Sequence, residues 1–370
     1  MFGRVRNWVG LTVFLALNGA AFANSDWQIV KVAGREYLTV ENISRFYGLP
    51  ILMEPIAKRA RIDDGRNSVE FQLDSREVMI NGVRNWLCFP VAEKDGHYLV
   101  ARVDLAKTLE PELRPQMITN LGQFKTVVLD PGHGGIDKGA ISPYGCEKDF
   151  ALDVARDLKP LLEAKGLNVK MTRDSDIFVP LELRARIANA TKDSVFVSIH
   201  FNATDANPAA SGFEVFSLTP RGAPSTADDA LALRFMNMEA GSPVDAPSLA
   251  LSMSVYHSVV GHFSEFDRGI KRARFAVLRL TKIPAILIEG GFLTERGESR
   301  EIAQSAWRAK LAQAIATGLL NYKGLVDNRT RPMNLADYRR ELEGQLVFRD
   351  AAVPAKPDAS PAPSVIPTSN

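Results

Sequence analysis

The sequence predicts an α/β protein: a mostly parallel, twisted sheet flanked by helices, preceded by a small α+β domain. Between residues 122 and 323, strand-like runs alternate with helical runs, which is typical of a parallel sheet with helices on both faces. Several runs are apolar throughout, as expected of strands that are buried on both sides. The strand-like runs are TVVLD, LNVKMTR, SVFVSIH, GFEVFSL, FAVLRL and AILIEGG.

The first residues predict a secretory signal peptide over residues 1–23. A positively charged start precedes a short apolar core at 8–17, and Ala21 and Ala23 mark a cleavage site of small residues. A buried first helix is the alternative interpretation. No later segment is long and apolar enough to span a bilayer. We therefore expect an exported protein without a transmembrane segment.

The net charge bears on the class of binding partner, and the cysteine count bears on disulfide bonding. The formal net charge of +2, without a dense Lys/Arg run, argues against a nucleic-acid partner. Cys88 and Cys146 fall in different predicted domains, and two cysteines do not make a disulfide framework. We expect two separate thiols, with a disulfide between them as the alternative.

Residues 24–118 predict a small α+β domain. The run EVMINGVRNWL is a hairpin signal, because Asn81-Gly82 is a preferred two-residue turn. REYLTVENISRF and GHYLVARVDLAKTL each combine a strand with a short helix, which indicates a weak internal repeat. Through the stretch GREYLTVENI this part resembles domains of the copper amine oxidase N-domain type. No residue cluster in this part suggests chemistry, and we interpret it as a spacer or a binding module.

The second part, residues 122–325, carries two clear helical patterns. In KDFALDVARDLKPLLEAKG, apolar residues such as Leu152, Ala155 and Leu158 fit one helix face, and we expect Pro160 to kink or interrupt this helix. IAQSAWRAKLAQAIATGLLNY is a final amphipathic helix. Residues 326–370 form a C-terminal extension, whose Pro/Ala/Ser-rich tail is expected to be disordered.

Polar residues follow or end three of the predicted strands. His133 follows VVLD, His200 ends VFVSIH, and Glu289 follows AILI. A fourth polar residue, Glu147, opens the helix after the glycine-rich turn. Functional groups of an open α/β sheet gather at the carboxyl ends of its strands, so we expect these four side chains to meet at one edge.

His133, Glu147 and His200 predict a metal site. Two imidazoles and one carboxylate are a standard catalytic zinc set that leaves one position open, and the glycines of PGHGG leave space beside the metal. A nucleotide site fits less well, because Asp137 stands where the dinucleotide fingerprint requires Gly or Ala. The remaining histidines are interpreted as structural; they are His97, His257 and His262.

Glu289 is predicted to be a general base. A carboxylate at the end of an apolar strand is costly to bury unless it is paired or used, and here it can accept a proton from water activated by the metal. The alternatives are a fourth metal ligand or a carboxylate that caps a helix.

Six motifs carry a family resemblance. The motifs are VVLDPGHGGIDKGA, EKDFALDVARDL, VKMTRDSDIFVPLELRARIANA, SVFVSIHFNA, GFEVF and DRGIKRARFAVLRLTKIPAILIEGGFLT. In this order, over residues 125–322, they resemble the zinc-dependent N-acetylmuramoyl-L-alanine amidases of the amidase-3 family. The resemblance implies that His133, Glu147 and His200 bind zinc and that Glu289 is the catalytic base. One departure is Gly290-Gly291, where many relatives carry a larger residue, so we expect a slightly altered pocket wall.

The resemblance also covers several polar residues outside the predicted metal site. Arg173, Arg186 and Asn202 lie in family motifs and are interpreted as salt-bridge and loop-fixing residues. Asp130 is expected either to orient a ligand imidazole or to cap the turn. Some relatives carry an inserted helix that blocks the metal until a partner removes it. Residues 219–260 are the natural place for one, but they predict a loop and ordinary helices rather than a clear plug, and an activator protein stays a possible, unidentified partner.

The resemblance implies a peptidoglycan hydrolase that cleaves the amide between N-acetylmuramic acid and L-alanine of the stem peptide. Its partner would be peptidoglycan, in the periplasm or the extracellular space, and residues 24–118 would be a wall-binding module or a spacer. Two alternatives stay open: another zinc peptidase that acts on stem peptides, and a non-catalytic wall-binding protein. We also expect the part after residue 120 to fold by itself, since EPELRPQM predicts a linker.

Overall fold

The computed structural model describes residues 27–227 and 241–341. The predicted signal peptide and the Pro/Ala/Ser-rich tail lie outside these ranges. Within them, every helix is too short or too polar to serve as a membrane-spanning segment.

The N-terminal part contains nine strands, one helix after the second strand, and a helical connection after the ninth. In chain order its elements are β1 (Ile29–Val32), β2 (Arg35–Thr39), α1 (Val40–Tyr47), β3 (Ile51–Glu54), β4 (Arg59–Asp63), β5 (Ser68–Gln72), β6 (Glu77–Ile80), β7 (Val83–Trp86), β8 (Ala92–Lys94), β9 (His97–Ala101), α2 (Arg102–Asp104), a π-helical turn (Leu105–Leu109), α3 (Glu110–Leu113) and a 3₁₀ turn (Pro115–Met117).

Two local predictions for this part are confirmed. The hairpin β6–β7 turns through Asn81 and Gly82, with φ of 52° and 82°, the left-handed values that its turn type requires. Each half of the predicted repeat is a strand followed by a helix, β2–α1 and β9–α2, and the two strands are antiparallel neighbours in a four-stranded sheet ordered β1-β2-β9-β8.

The first strand of the second part begins at residue 126. Its elements are β10 (Thr126–Pro131), β11 (Ile141–Ser142), β12 (Gly145–Cys146), α4 (Glu147–Glu163), β13 (Asn168–Met171), α5 (Leu181–Asn189), β14 (Ser194–Asn202), β15 (Phe213–Leu218), α6 (Asp245–His262), β16 (Asp267–Ala273), α7 (Ala276–Leu280), β17 (Ala285–Phe292), α8 (Arg296–Ile302) and α9 (Ser305–Asn328). Residues 335–341 are also helical.

The predicted fold class is confirmed, and the sheet is mixed. β13, β10, β14 and β17 are parallel neighbours, whereas β15 runs antiparallel to β17 and parallel to β16. Helices cover both faces. On one face α4, α6 and α9 enclose the larger core with residues such as Leu158, Val255 and Leu319, and on the other α5 and α7 pack through Ala188 and Val277.

One sheet crosses the predicted boundary between the two parts. Its 11 strands are ordered β13-β10-β14-β17-β15-β16-β7-β6-β5-β4-β3, and β7 joins β16 through the parallel pair Asn85 and Ile270. Val83 belongs to the same core cluster as Val215 and Ile270. The division near residues 118–122 stays a prediction, and the sequence did not indicate this shared sheet.

One element prediction is wrong, and of the kink or interruption predicted at Pro160 the interruption is not found. FAVLRL is not a strand but contains α7, and the neighbouring strand is β16 in DRGIKRA. The adjacent residues Val277 and Leu278 are both buried, a pattern that fits a helix, and short apolar runs do not distinguish the two by periodicity. Helix α4 also continues through Pro160. Pro160 lies in its last turn, and both Pro160 and Arg156, whose carbonyl loses its partner, lie on the exposed side.

Candidate metal centre

His133 is held in an unusual backbone conformation beyond the end of β10. Its φ of 58° lies in the left-handed region, which residues other than glycine seldom adopt. Two contacts fix it: Arg184 Nη2 donates to the His133 carbonyl at 2.6 Å, and Asp137 Oδ2 lies 2.9 Å from His133 Nδ1. Strain of this kind is retained where the surroundings enforce it, as at functional sites.

Glu147, the first residue of α4, joins the two histidines. Its Oε1 lies 3.1 Å from His133 Nε2 and 2.8 Å from His200 Nδ1. The backbone amide of Ala140 donates to its Oε2 at 2.8 Å, and that of Phe201 to its Oε1 at 3.2 Å. Burial alone would raise the pKa of Glu147, but the hydrogen bonds from the two imidazoles outweigh it and hold this pKa far below its usual value.

Two glycines leave the space that the imidazoles occupy. A Cβ at Gly132 would lie 2.3 Å from Cε1 of His200. A Cβ at Gly139, whose φ is +63°, would lie 2.5 Å from Glu147 Oε2 and 2.6 Å from His133 Cδ2. The glycine-rich turn therefore has a steric role: it lets the backbone pass directly beside all three predicted ligand side chains.

The three predicted ligands fit a metal ion. One donor atom from each of His133, Glu147 and His200 lies within 4.8 Å of the others. Two imidazoles and a carboxylate suit a borderline divalent cation, and neutral imidazole is the form that binds. For His133, burial lowers the pKa, but Glu147 and Asp137 together outweigh it and the pKa is raised. Protons therefore compete with a metal for this site.

Glu289 lies beside this cluster, because β17 places it opposite His200 on β14. It lines the same cavity of about 480 Å³ as His133 and His200. Its Oε2 is buried and has no hydrogen-bond partner among the residues that the structure describes. Burial, followed by the negative charges of Glu147 and Glu214, raises the pKa of Glu289 well above its usual value, and Lys271 opposes the shift. This carboxyl group is thus free to exchange a proton with a molecule in the cavity.

Part of the cavity wall is apolar and partly exposed to solvent. Phe178, Leu181 and Phe275 line it and are 49%, 50% and 40% exposed. Large apolar groups beside a polar cluster are typical of a ligand site. Gly290 does not shape this wall, since a Cβ there would meet Leu311 and Phe201 in the core.

Of the two roles predicted for Asp130, its contacts fit support of the turn. Asp130 does not contact an imidazole. It is fully buried, pairs with Arg184 Nη1 at 2.8 Å, and accepts hydrogen bonds from Thr172 and Ser198. Arg184 also donates hydrogen bonds to the carbonyls of Pro131 and His133, so its ion pair with Asp130 supports the turn.

Sequence reasoning missed two supporting residues, Asp137 and Arg184. Asp137 had served only to exclude a nucleotide site, although its position four residues after His133 was a usable signal. Arg173 does fix loops, donating to the carbonyls of Pro131, Gly132, Lys148 and Ser175. Asn202 accepts from the Ala203 amide at 2.9 Å, and Arg186 is exposed on α5.

The other histidines and the cysteines are not part of the metal cluster found among the described residues. His97 contacts Glu41, and His262 contacts the Ser258 carbonyl. His257 is buried, which lowers its pKa to about 4. Both cysteines are free, as expected.

Comparison with known proteins identifies the family. The family model described as N-acetylmuramoyl-L-alanine amidase matches residues 127–321. The chain belongs to this family. The amidase AmiC of Neisseria meningitidis serogroup B is 37% identical over 240 residues, which cover 59% of this chain and 57% of that protein. The amidase AmiA of Escherichia coli K12 is 32% identical over 252 residues, 62% of this chain and 86% of that protein.

Solved structures of amidases are also similar to the chain. The N-acetylmuramoyl-L-alanine amidase of Clostridium difficile 630 is 32% identical with a TM-score of 0.46, and the match covers 56% of this chain and 100% of that one. The amidase-family match begins one residue into β10 and ends within α9, so it contains all four predicted site residues.

Proposed function

We propose that the chain is an exported zinc amidase that hydrolyses the amide between the lactyl group of N-acetylmuramic acid and L-alanine of the stem peptide. The observation that carries this proposal is the unpaired carboxylate of Glu289 in the same cavity as a two-histidine, one-glutamate cluster. Family membership supports the choice of bond. The predicted signal peptide supports action in the periplasm or the extracellular space.

His133, Glu147 and His200 would hold Zn²⁺. When bound, the ion supplies a Lewis acid that polarises a carbonyl and lowers the pKa of water. Glu147 contributes the negative charge of the ligand set. Its carboxylate is held in place because it accepts hydrogen bonds from the backbone amides of Ala140 and Phe201. Because Asp137 contacts Nδ1 of His133, Nε2 is the ring nitrogen that would bind the metal.

Glu289 acts as the proton carrier. Its free Oε2 accepts the proton that the attacking water gives up, and the same oxygen then delivers this proton to the nitrogen of the leaving L-alanine. The environment of Glu289 suits this role. Burial and two neighbouring carboxylates raise the pKa of Glu289, so its carboxyl group holds a proton readily between the two steps.

The apolar wall positions the substrate. Phe178, Leu181 and Phe275 present carbon surface to the cavity, which matches the methyl groups and the sugar face around the scissile amide. The cavity of about 480 Å³ is within the size range of small-ligand sites. Chain segments farther along the polymer would lie outside it.

Two substitutions separate metal binding from chemistry. His200→Ala should lose zinc and activity, because two ligands remain. Glu289→Gln should keep zinc, while hydrolysis of a soluble muropeptide falls by on the order of 10²–10⁴. His97→Ala, which changes an exposed histidine outside the site, is the matched control and should retain both. Zinc is measured by elemental analysis, and the product by the appearance of a free L-alanine amine.

Each outcome bears on one assignment. Full zinc occupancy in His200→Ala would refute the ligand set. Near-normal turnover in Glu289→Gln would mean that another group is the base. Release of a different amine from wild-type protein would point to a peptidase that cuts within the stem peptide.

A further inference from the structure

A second cavity, of about 460 Å³, lies where the N-terminal part meets the loop that follows β15. We call it the arginine groove, after Arg35 on β2, Arg102 on α2 and Arg221 on the loop, which all line it. Its floor is apolar and includes Phe89 and Val103. None of these residues belongs to the metal centre.

The loop that carries Arg221 is fixed in place. Arg274 donates to the carbonyls of Thr219 at 3.1 Å and Ala223 at 3.0 Å. Arg76, from the N-terminal part, donates to the Ser225 carbonyl at 3.2 Å. Ala223 is fully buried in a cluster with residues of the N-terminal sheet. The groove is therefore a preorganised surface that both parts of the chain build together.

Positive charge exceeds negative charge in this groove. Arg35 stacks over the ring of Phe89 at 4.4 Å from its centroid, and Arg102 pairs with Glu36 at 2.6 Å. Within the described part of the chain, neither Arg35 nor Arg221 forms an ion pair with a carboxylate. Three guanidinium groups thus face one carboxylate, and two of the three are available to an anionic ligand.

Guanidinium groups around an apolar floor fit one class of ligand. Arginine recognises planar carboxylates through two parallel hydrogen bonds, and a stacked arginine has little orientational freedom left to lose. The floor suits short aliphatic side chains. A small peptide with several carboxylates combines both features, whereas a neutral N-acetylated glycan has no negative charge to pair with the arginines.

We propose that the arginine groove binds the stem peptide of peptidoglycan through its carboxylates, as a second site for the polymer. The proposal rests on the proposed function for its choice of acidic peptide. Because β15 is antiparallel to β17, the groove lies toward the amino end of β17, away from Glu289. A polymer that repeats its stem peptide can occupy both sites at once, which raises the local concentration of substrate at the metal centre.

The test measures binding and hydrolysis separately. A fluorescein-labelled stem peptide is titrated, by anisotropy, into the full chain carrying Glu289→Gln, which prevents turnover. The variant to compare adds Arg35→Glu and Arg221→Glu, which change the two groove arginines that form no ion pair with a carboxylate among the described residues. The matched control instead adds Arg186→Glu and Arg300→Glu, two exposed arginines elsewhere. A stem peptide whose carboxylates are amidated and an N-acetylglucosamine oligosaccharide are the ligand controls.

We expect the groove variant to bind the peptide about 10- to 100-fold more weakly, the range for losing one charge-assisted contact or more. The arginine control should bind as the parent does, and neither control ligand should bind well. In the chain with an intact Glu289, the same two groove substitutions should slow digestion of intact sacculi but leave a small soluble muropeptide unaffected. The latter result also shows that the variant is folded.

Unchanged peptide affinity in the groove variant would overturn the proposal, and so would equal affinity for the amidated peptide or for the oligosaccharide. These results are independent of the catalytic assignment. A protein that binds the peptide through the groove yet releases no L-alanine amine contradicts the proposed function alone. A protein that cleaves the amide but shows no groove-dependent binding contradicts this inference alone.

Discussion

Asp137 illustrates how a single carboxylate determines the form of a ligand. It contacts Nδ1 of His133, while Nε2 of the same ring faces Glu147. An aspartate at this position favours the proton on Nδ1 and keeps Nε2 available for a metal.

We expect Asp137→Asn to weaken zinc binding by about 10- to 100-fold, the usual effect of removing a partner of a ligand imidazole. Competition with a chromophoric chelator measures the affinity. Asp157→Asn, an exposed aspartate on α4, makes the same charge change away from the ligands and should have no effect. Equal zinc affinity in both variants would show that Asp137 does not hold the ring.

The raised pKa of Glu289 predicts how the stability of the metal-free protein depends on pH. Its pKa is raised above the usual value in the folded state, so the folded state binds more protons than the unfolded state once the pH exceeds about 4.5. This group therefore makes the free energy of unfolding fall as the pH rises.

Glu289→Gln should remove that penalty. With a chelator present, the variant should melt at a higher temperature than wild type at pH 8, and the difference should disappear near pH 4. Glu182→Gln, at an exposed position on α5, is the control. A pH-independent difference in melting temperature would mean that the substitution acts through packing rather than through charge.

At the scale of elements, the turn after β10 needs glycine where a Cβ would overlap a ligand side chain. Gly132 is the clearest case, since its missing Cβ would overlap the imidazole of His200. The ring lies on a strand in the middle of the sheet, so neither partner moves without disturbing its neighbours.

Gly132→Ala should therefore displace His200, with loss of zinc and a fall in activity on the order of 10²-fold or more. Gly122→Ala provides the control, because a Cβ there would have nothing within 4 Å. Zinc content and soluble-muropeptide hydrolysis are the measurements. Normal zinc content in Gly132→Ala would show that the turn is more compliant than its contacts indicate.

The predicted ligands could be found from the sequence, whereas the residues that support them could not. The residues at strand ends were predictable, because a histidine or glutamate is conspicuous after an apolar run. The support of those residues was not. Asp130 and Arg184 are far apart in sequence and meet only once β10 and α5 pack. FAVLRL was misassigned because its buried neighbours, Val277 and Leu278, read equally well as part of a strand.

At the scale of the molecule, the N-terminal part is joined to the amidase sheet rather than tethered to it. The Arg84 amide donates to Asp267 Oδ2 at 2.8 Å, and Trp86 Nε1 donates to the Arg268 carbonyl at 3.2 Å. These contacts cover the edge of β16. A pairing of this kind depends on strand register between distant segments, which no local pattern in the sequence encodes.

A chain that starts at residue 120 tests how far the two parts depend on each other. Every predicted site residue lies beyond residue 125, so this shortened chain should still bind zinc and cleave a soluble muropeptide. It should melt several degrees lower than a chain that starts at residue 27, because it loses Val83 from the core and the partner strand of β16. The freed strand edge should also promote self-association, which gel filtration detects. Equal melting temperatures and a monomeric shortened chain would show that the shared sheet contributes little to stability, and that the N-terminal part serves binding alone.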